Sequence, residues 1–219
     1  MGLLKAAGIE HFGFDFRPRS FNFIQTYRLV EIIREHFSLR HTYDLHFCGE
    51  KDFVISKIVA DMDHQLVDQS GRNIWDHARL EFSDTEEIAF YDQFNAPFIL
   101  HYHQGLQWEK ISKAKNIMGL VIPYPYLLEL HEKNEFTQFI MRFNQEKQRH
   151  MPHGDMYLTL DWGANIFPTL FEFLDVGVFD LPVNWKLESG YRKIDPVKFN
   201  SEWKVCRDML LNETSLQHT

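Results

Sequence analysis

The chain has 219 residues, enough for one barrel or one large α/β domain, and nothing in that length demands a second domain. Its composition, 44% hydrophobic and 25% charged, is ordinary for a soluble globular protein, and its net charge of −8 argues against the basic face that a nucleic-acid partner needs. No apolar run approaches the ~18 residues of a membrane span, and two distant cysteines, Cys48 and Cys206, give no disulfide framework and fit a reducing cytosol.

The opening MGLLKAAGIEHFG lacks the basic-then-apolar layout of a signal peptide, and Ala at its sixth position breaks the myristoylation pattern, so a cytoplasmic protein is expected. HFGFDF (11–16) is an aromatic strand. TYRLVEIIREHF (26–37) carries Leu29, Val30, Ile32, Ile33 and Phe37 at helical spacing. YDLHFC (43–48) reads as a strand, FVISKIVADM (53–62) as a helix and HARLEF (77–82) as a strand. Ser83-x-x-Glu86 has the form of a capping box before a helix in SDTEEIAFYDQF. PFILHYH (97–103) is a strand, LQWEKISKAK (106–115) a short helix, and IMGLVIPYP (117–125) a strand stopped by two prolines.

Residues 129–150 form the longest helical pattern, with Phe136, Phe139, Ile140 and Phe143 on one side. MYLTLDW (156–162) is a strand, and 166–177 a helix whose Pro168 suits the first turn. VFDLPVNW (178–185) is a strand, and 194–213 closes with a helix. Strands alternating with helices at this spacing predict βαβ units and a parallel sheet of about seven strands. A polar tail, SLQHT, that is held in place would imply something holding it. The 20 phenylalanines imply a Phe-rich core or, alternatively, an aromatic-lined pocket.

Three stretches carry a resemblance. LLKAAGIEHFGFDFRPRSFNFIQ has Gly13, Phe14, Phe16, Pro18, Arg19 and Ser20 in a helix-to-strand-to-basic-loop pattern. ARLEFSDTEEIAFYDQFNAPFILHYH has a strand, a helix, Pro97 and a strand, and SGYRKIDPVKF has Gly190, Lys193, Asp195 and Lys198. In this order and spacing they resemble the phosphoribosylanthranilate isomerase family of tryptophan biosynthesis. The resemblance implies a single α/β domain over 1–219, a TIM-type (β/α) barrel incomplete at its N-terminus because the sequence opens at the family's second strand.

That family performs an Amadori isomerisation with a Cys base on its first strand and an Asp acid near the end of its sixth. The resemblance places Pro123 or Tyr124 at the Asp position. Tyr can donate a proton, its free pKa being ~10. The family's phosphate-binding glycines after strand seven are reduced here to Gly163 within LTLDWGAN, where Asp161 would repel a phosphate. LPVNW replaces the strand-eight phosphate turn, Asn22 replaces the anthranilate-binding Arg, and His103 replaces the strand-five Arg. The expectation is therefore a barrel without the family's catalytic activity, a pseudoenzyme, that binds a small, anionic ligand and uses no cofactor.

Alternating strand residues share a face, and barrel ligands meet the C-terminal strand ends. On that basis Arg17, Arg19, His46, His101, Asp161 and Asn184 are the ligand-binding candidates. No firm catalytic residue emerges; Glu81, His103 and Tyr124 are the groups able to move a proton, which would suit an active isomerase with replaced acid and base. His46, Glu81, His101 and His103 are a candidate metal set, because imidazole plus carboxylate suits zinc and His-x-His on a strand directs both rings to one face. The competing reading is a set of buried polar groups that satisfy one another. Both cysteines read as packing residues. A homodimer that covers the seam of a seven-strand barrel is the expected assembly.

Overall fold

The computed structural model describes residues 1–20, 22–66, 73–167, 169–190 and 193–215, with side chains to residue 209. The expected roles of Pro168 and of the end of the SLQHT tail lie outside the described residues. Backbone contacts divide the chain into two compact units, Met1–Met118 and Gly119–Thr219.

The first unit opens with a short helix, α1 (Gly2–Ala6), and then alternates strands with helices: β1 (His11–Asp15), α2 (Thr26–His36), β2 (Thr42–Phe47), α3 (Asp52–Gln65), β3 (Ala78–Phe82), α4 (Ile88–Asp92), β4 (Phe98–His101) and α5 (Trp108–Ile111). The four strands pair in parallel in chain order. The register sets Asp15 beside His46 and His46 beside Glu81; one step earlier, Gly13, Asp44 and Arg79 align.

This alternation gives the sheet two unlike faces. Phe12, Tyr43, Leu45, Phe47, Leu80, Phe82, Phe98 and Leu100 are buried on one of them. The Phe82 ring meets Phe47, Tyr91, Phe94 and Phe98, so much of the phenylalanine content is core. Helices α2 and α3 bury Leu29, Val30, Ile33, Ile55, Ile58, Val59 and Met62. The other face carries the polar residues Asp15, Asp44, His46, Arg79, Glu81 and His101.

The second unit holds β5 (Ile117–Pro123), whose first two residues fall before the division, then α6 (Tyr124–Glu132), α7 (Phe136–His150), β6 (Asp155–Thr159), α8 (Leu170–Phe173) and β7 (Val178–Asp180). Its three strands are also parallel in chain order. A small antiparallel ribbon, β8 (Glu188–Gly190) and β9 (Lys193–Ile194), precedes α9 (Pro196–Ser215).

Local expectations need correction at three places, and one further element is new. Ser83 does not cap α4: its helix starts at Ile88 without a side-chain cap bond, and Tyr91 braces the loop by donating to the Asp84 carboxylate (2.6 Å) and accepting from the Glu86 N–H (2.7 Å). The helix expected over 129–150 is two helices, because Asn134 takes a left-handed backbone (φ 59°) that ends α6. The strand expected over 178–185 stops at Asp180, two residues before Pro182, which has no N–H for a ladder. The ribbon β8–β9 within the SGYRKI stretch was not anticipated. Among the described residues no helix is long and apolar enough to cross a membrane.

Candidate functional site

Three of the proposed side chains meet on the polar face of the first unit. His101 Nε2 donates to Glu81 Oε1 at 2.6 Å, and His46 Nδ1 lies 3.8 Å from the same oxygen. The two imidazoles stack with centroids 5.3 Å apart. Nitrogen and oxygen atoms of His46, Glu81 and His101 all fall within 4.8 Å of one another. They sit on three successive strands because parallel pairing puts His46 level with Glu81, and His101 two residues beyond Ile99, which is level with Glu81 on the next strand. The side chains of the histidines keep 16% and 18% of their surface and that of the glutamate 9%, so the cluster is lined by protein yet reachable.

Ser83, just past β3, completes the arrangement. Its Oγ is 2.7 Å from His46 Nε2 and 3.4 Å from the carbonyl of Phe47, to which it can donate. Burial works against the charged form of Glu81, but the hydrogen bond from His101 and the neighbouring positive charges hold its carboxyl below the ordinary glutamate value. Burial lowers the pKa of His46, with Glu81 opposing.

The remaining polar residues of this face pair among themselves. Arg17 grips Asp15 by its Nε (2.9 Å) and Nη2 (2.6 Å) and also donates its backbone N–H (3.0 Å). Arg79 grips Asp44 by Nε (2.8 Å) and Nη2 (3.2 Å). Asp44 is 8% exposed, and its carboxyl is pushed up to about 6, by burial first and against the pull of Arg79. Arg17 is thus engaged by the carboxylate of the last residue of β1, which competes with its expected anion role. Arg19 is exposed in the following turn.

Asp15 permits a test. Burial raises its pKa, but the hydrogen bonds from Arg17 and Ser20 outweigh this and leave it below the ordinary 3.8. A depressed carboxyl stabilises the fold above the unfolded-state value, and that contribution disappears as pH falls through the folded-state value. The half-exposed arginine limits the pair to on the order of 1 kcal/mol. The stability gap between the native chain and Asp15→Asn, followed by urea unfolding, should be level at neutral pH and narrow below about pH 4. A gap that persists unchanged to lower pH would refute the ionised pairing.

His103 stays outside the cluster. The strand ends at His101, so the alternation that would have brought the two rings to one face does not extend to residue 103. The ring of His103 instead lies over Gly105. Cys48 is exposed just beyond β2 rather than packed, with its N–H bonded to Glu50; Cys206 is buried, and both are free thiols.

In the second unit, Asp161 and Asn184 do come together. Asn184 Nδ2 donates to Asp161 Oδ1 (3.0 Å) and Lys186 Nζ to Asp161 Oδ2 (2.8 Å). The bond from Lys186 is the main reason that the carboxyl sits below its ordinary value. The charge expected to repel phosphate is therefore compensated by a lysine that the sequence did not single out. The turn amides are engaged as well: the Trp162 N–H bonds to Asp161 Oδ1 (2.8 Å), Ala164 to the Asp161 carbonyl (3.0 Å) and Lys186 to Asn184 Oδ1 (3.0 Å). Tyr124 is 4% exposed; its hydroxyl donates to the Asn165 carbonyl (2.6 Å) and accepts from the Phe167 N–H (3.2 Å), and burial raises its pKa. It braces a loop and does not present its proton.

Solved structures supply the comparison. The chain is similar to a phosphoribosyl anthranilate isomerase in complex with reduced 1-(o-carboxyphenylamino)-1-deoxyribulose 5-phosphate, at 14% identity and TM-score 0.54, over 92% of this chain and 89% of that one. It is similar to the phosphoribosyl anthranilate isomerase from Thermus thermophilus at 12% identity and TM-score 0.55, over 94% and 92%. TrpF from Jonesia denitrificans matches at 11% identity and TM-score 0.54, over 94% and 90%. The fold is that of phosphoribosylanthranilate isomerase, a (β/α) barrel. No protein-family model and no curated protein sequence matches the chain.

Against that isomerase fold, sequence reasoning found His46, Glu81 and His101 but missed Ser83, Asp44 and Lys186. The signal for Asp44 was present: Asp44-x-His46 and Arg79-x-Glu81 place complementary charges at the same two-residue interval on neighbouring strands.

Proposed function

We propose that the chain is a cytoplasmic, divergent relative of phosphoribosylanthranilate isomerase that does not run the Amadori reaction by the family's acid–base pair and binds a small molecule at the C-terminal ends of β1–β4. The observation that carries this reading is the His46–Glu81–His101 cluster, enclosed by protein yet reachable at the C-terminal ends of β2, β3 and β4. Supporting it, the tyrosine at the acid's position has its proton bonded to a carbonyl, and amides in the turns that would grip phosphate bond to their own Asp161 and Asn184.

The decisive experiment is complementation of a tryptophan auxotroph that lacks the isomerase. With soluble expression verified, no growth is expected; growth would establish isomerase activity and overturn the reading. The same position predicts that reduced 1-(o-carboxyphenylamino)-1-deoxyribulose 5-phosphate, the ligand of one structural relative, leaves the melting temperature of the full chain unchanged. Saturable stabilisation by that compound would show that a phosphate grip is retained.

A further inference from the structure

We propose that His46, Glu81 and His101 form a three-ligand site for a divalent cation of the zinc type, with Ser83 positioning the His46 ring. This deepens the small-molecule reading above by supplying the group that would anchor a ligand.

The donor set is two imidazoles and one carboxylate, the combination that leaves a fourth position open on zinc. At zinc–ligand distances of ~2.0–2.1 Å, tetrahedral ligand atoms lie roughly 3.4 Å apart. The His101–Glu81 contact is 2.6 Å and the His46–Glu81 contact 3.8 Å, so these two spacings lie on either side of that value. An ion at the centre would lengthen one and shorten the other, and the proton that His101 Nε2 donates to Glu81 would leave that nitrogen, for Nδ1 or for solvent, so that its lone pair can ligate.

The orientation of His46 is the more telling detail. Its Nε2 is 2.7 Å from Ser83 Oγ, and that hydroxyl is 3.4 Å from the Phe47 carbonyl. When Ser83 donates to the carbonyl, it accepts the Nε2–H of His46, and the bare Nδ1 then faces the Glu81 carboxylate at 3.8 Å. In that tautomer two electron-rich atoms face each other, a poor contact in a partly buried site that a cation between them makes favourable; in the other, with Ser83 donating to Nε2, the Nδ1 proton bridges to Glu81 and a cation replaces it. Metal-bound histidines are held in this way, by a partner on the ring nitrogen that does not ligate.

Charge points in the same direction. On this face each arginine is gripped by an aspartate, Arg17 by Asp15 and Arg79 by Asp44. The formal charges of the two pairs cancel, and the Glu81 charge is met by the two imidazoles with a smaller contribution from Arg17. The face therefore favours a cation over the anion expected from Arg17 and Arg19.

The test uses the full chain, expressed without a polyhistidine tag, stripped with a chelator and titrated with zinc chloride against a chromophoric competitor. One tight equivalent is expected. His46→Ala and His101→Ala should each weaken it by more than about 100-fold and Ser83→Ala by about 10–100-fold, as for removal of an outer-shell partner. His64→Ala, at an exposed position on α3, should leave it unchanged. Glu81→Gln keeps the shape of the side chain and should also weaken binding; circular dichroism of each metal-free variant reports whether it folds. If a variant does not fold, cobalt(II) loading of the native chain decides, since a four-coordinate site gives strong visible bands that one equivalent of zinc removes. Absence of zinc uptake by the native chain, or unchanged uptake in folded His46→Ala and His101→Ala, overturns the proposal. Zinc uptake is read without any isomerase assay, so its failure leaves the auxotroph result standing, and the reverse also holds.

Discussion

Replacing Arg79 by Met while Asp44 is retained should remove about 3–5 kcal/mol of stability, the usual consequence of stranding one member of a buried ion pair. Asp44 is 8% exposed and Arg79 holds it through two hydrogen bonds, of 2.8 and 3.2 Å. Even with that partner the Asp44 carboxyl is pushed up to about 6, so burial is already the dominant influence on it. Methionine keeps most of the volume of the arginine stem, and the loss reports the charge rather than a cavity. The paired change Asp44→Leu with Arg79→Met should recover most of the loss, because well-packed apolar residues replace buried ion pairs at little or no cost. Recovery should be incomplete, since Arg79 has a further interaction besides Asp44. Urea unfolding with an unchanged dependence on denaturant gives both values. A single-variant loss under about 1 kcal/mol would place the pair among weak surface bridges.

The parts of this face that could be read from sequence are those that depend on one strand at a time. Tyr43, Leu45 and Phe47 alternate, so YDLHFC is recognisable as a strand, and the same alternation sends Asp44 and His46 to the opposite side. What joins Asp44 to Arg79 and His46 to Glu81 is register between strands, which no local pattern encodes. Ser83 illustrates the difficulty: Ser-x-x-Glu ahead of an apolar run is a genuine capping pattern, but the hydroxyl is closer to a histidine 37 residues away in the chain. His103 failed for a simpler reason. Its inference required the strand to continue, and β4 ends at His101. The division of residues 129–150 turned on Asn134, one of the few residue types that adopts a left-handed backbone readily, within an otherwise continuous helical stripe. The alternation of the seven parallel strands with helices was legible because it rests on hydrophobic period and turn residues, whereas the break at Asn134 and the short ribbon β8–β9 were not, and that alternation is what the fold shares with the solved isomerases.

Gly119→Ala should cost about 1–3 kcal/mol, the range for forcing extra volume into a packed site, although alanine is otherwise better tolerated in a strand than glycine. Gly119 is level with Asp155 on the neighbouring strand. A Cβ added there would lie 2.6 Å from the Asp155 carbonyl oxygen and 2.8 Å from Cε2 of Tyr157, a ring that is 2% exposed. The first of these atoms belongs to the ladder and the second to a packed ring, so neither can swing aside, and β5 must shift away from β6 at its start. Gly13 is the control. It belongs to the stretch that carries the family resemblance, yet among the described residues a Cβ there would meet nothing within 4 Å. Gly13→Ala should therefore be neutral or stabilising by up to about 1 kcal/mol through the unfolded chain. Urea unfolding of both variants makes the comparison. Equal effects would show that conformational entropy, rather than the close approach of β6, sets the requirement for glycine at position 119. The expected inequality means that a glycine required by close packing of two strands lies outside the stretches that carry the resemblance, while Gly13, inside one of them, is free of that constraint.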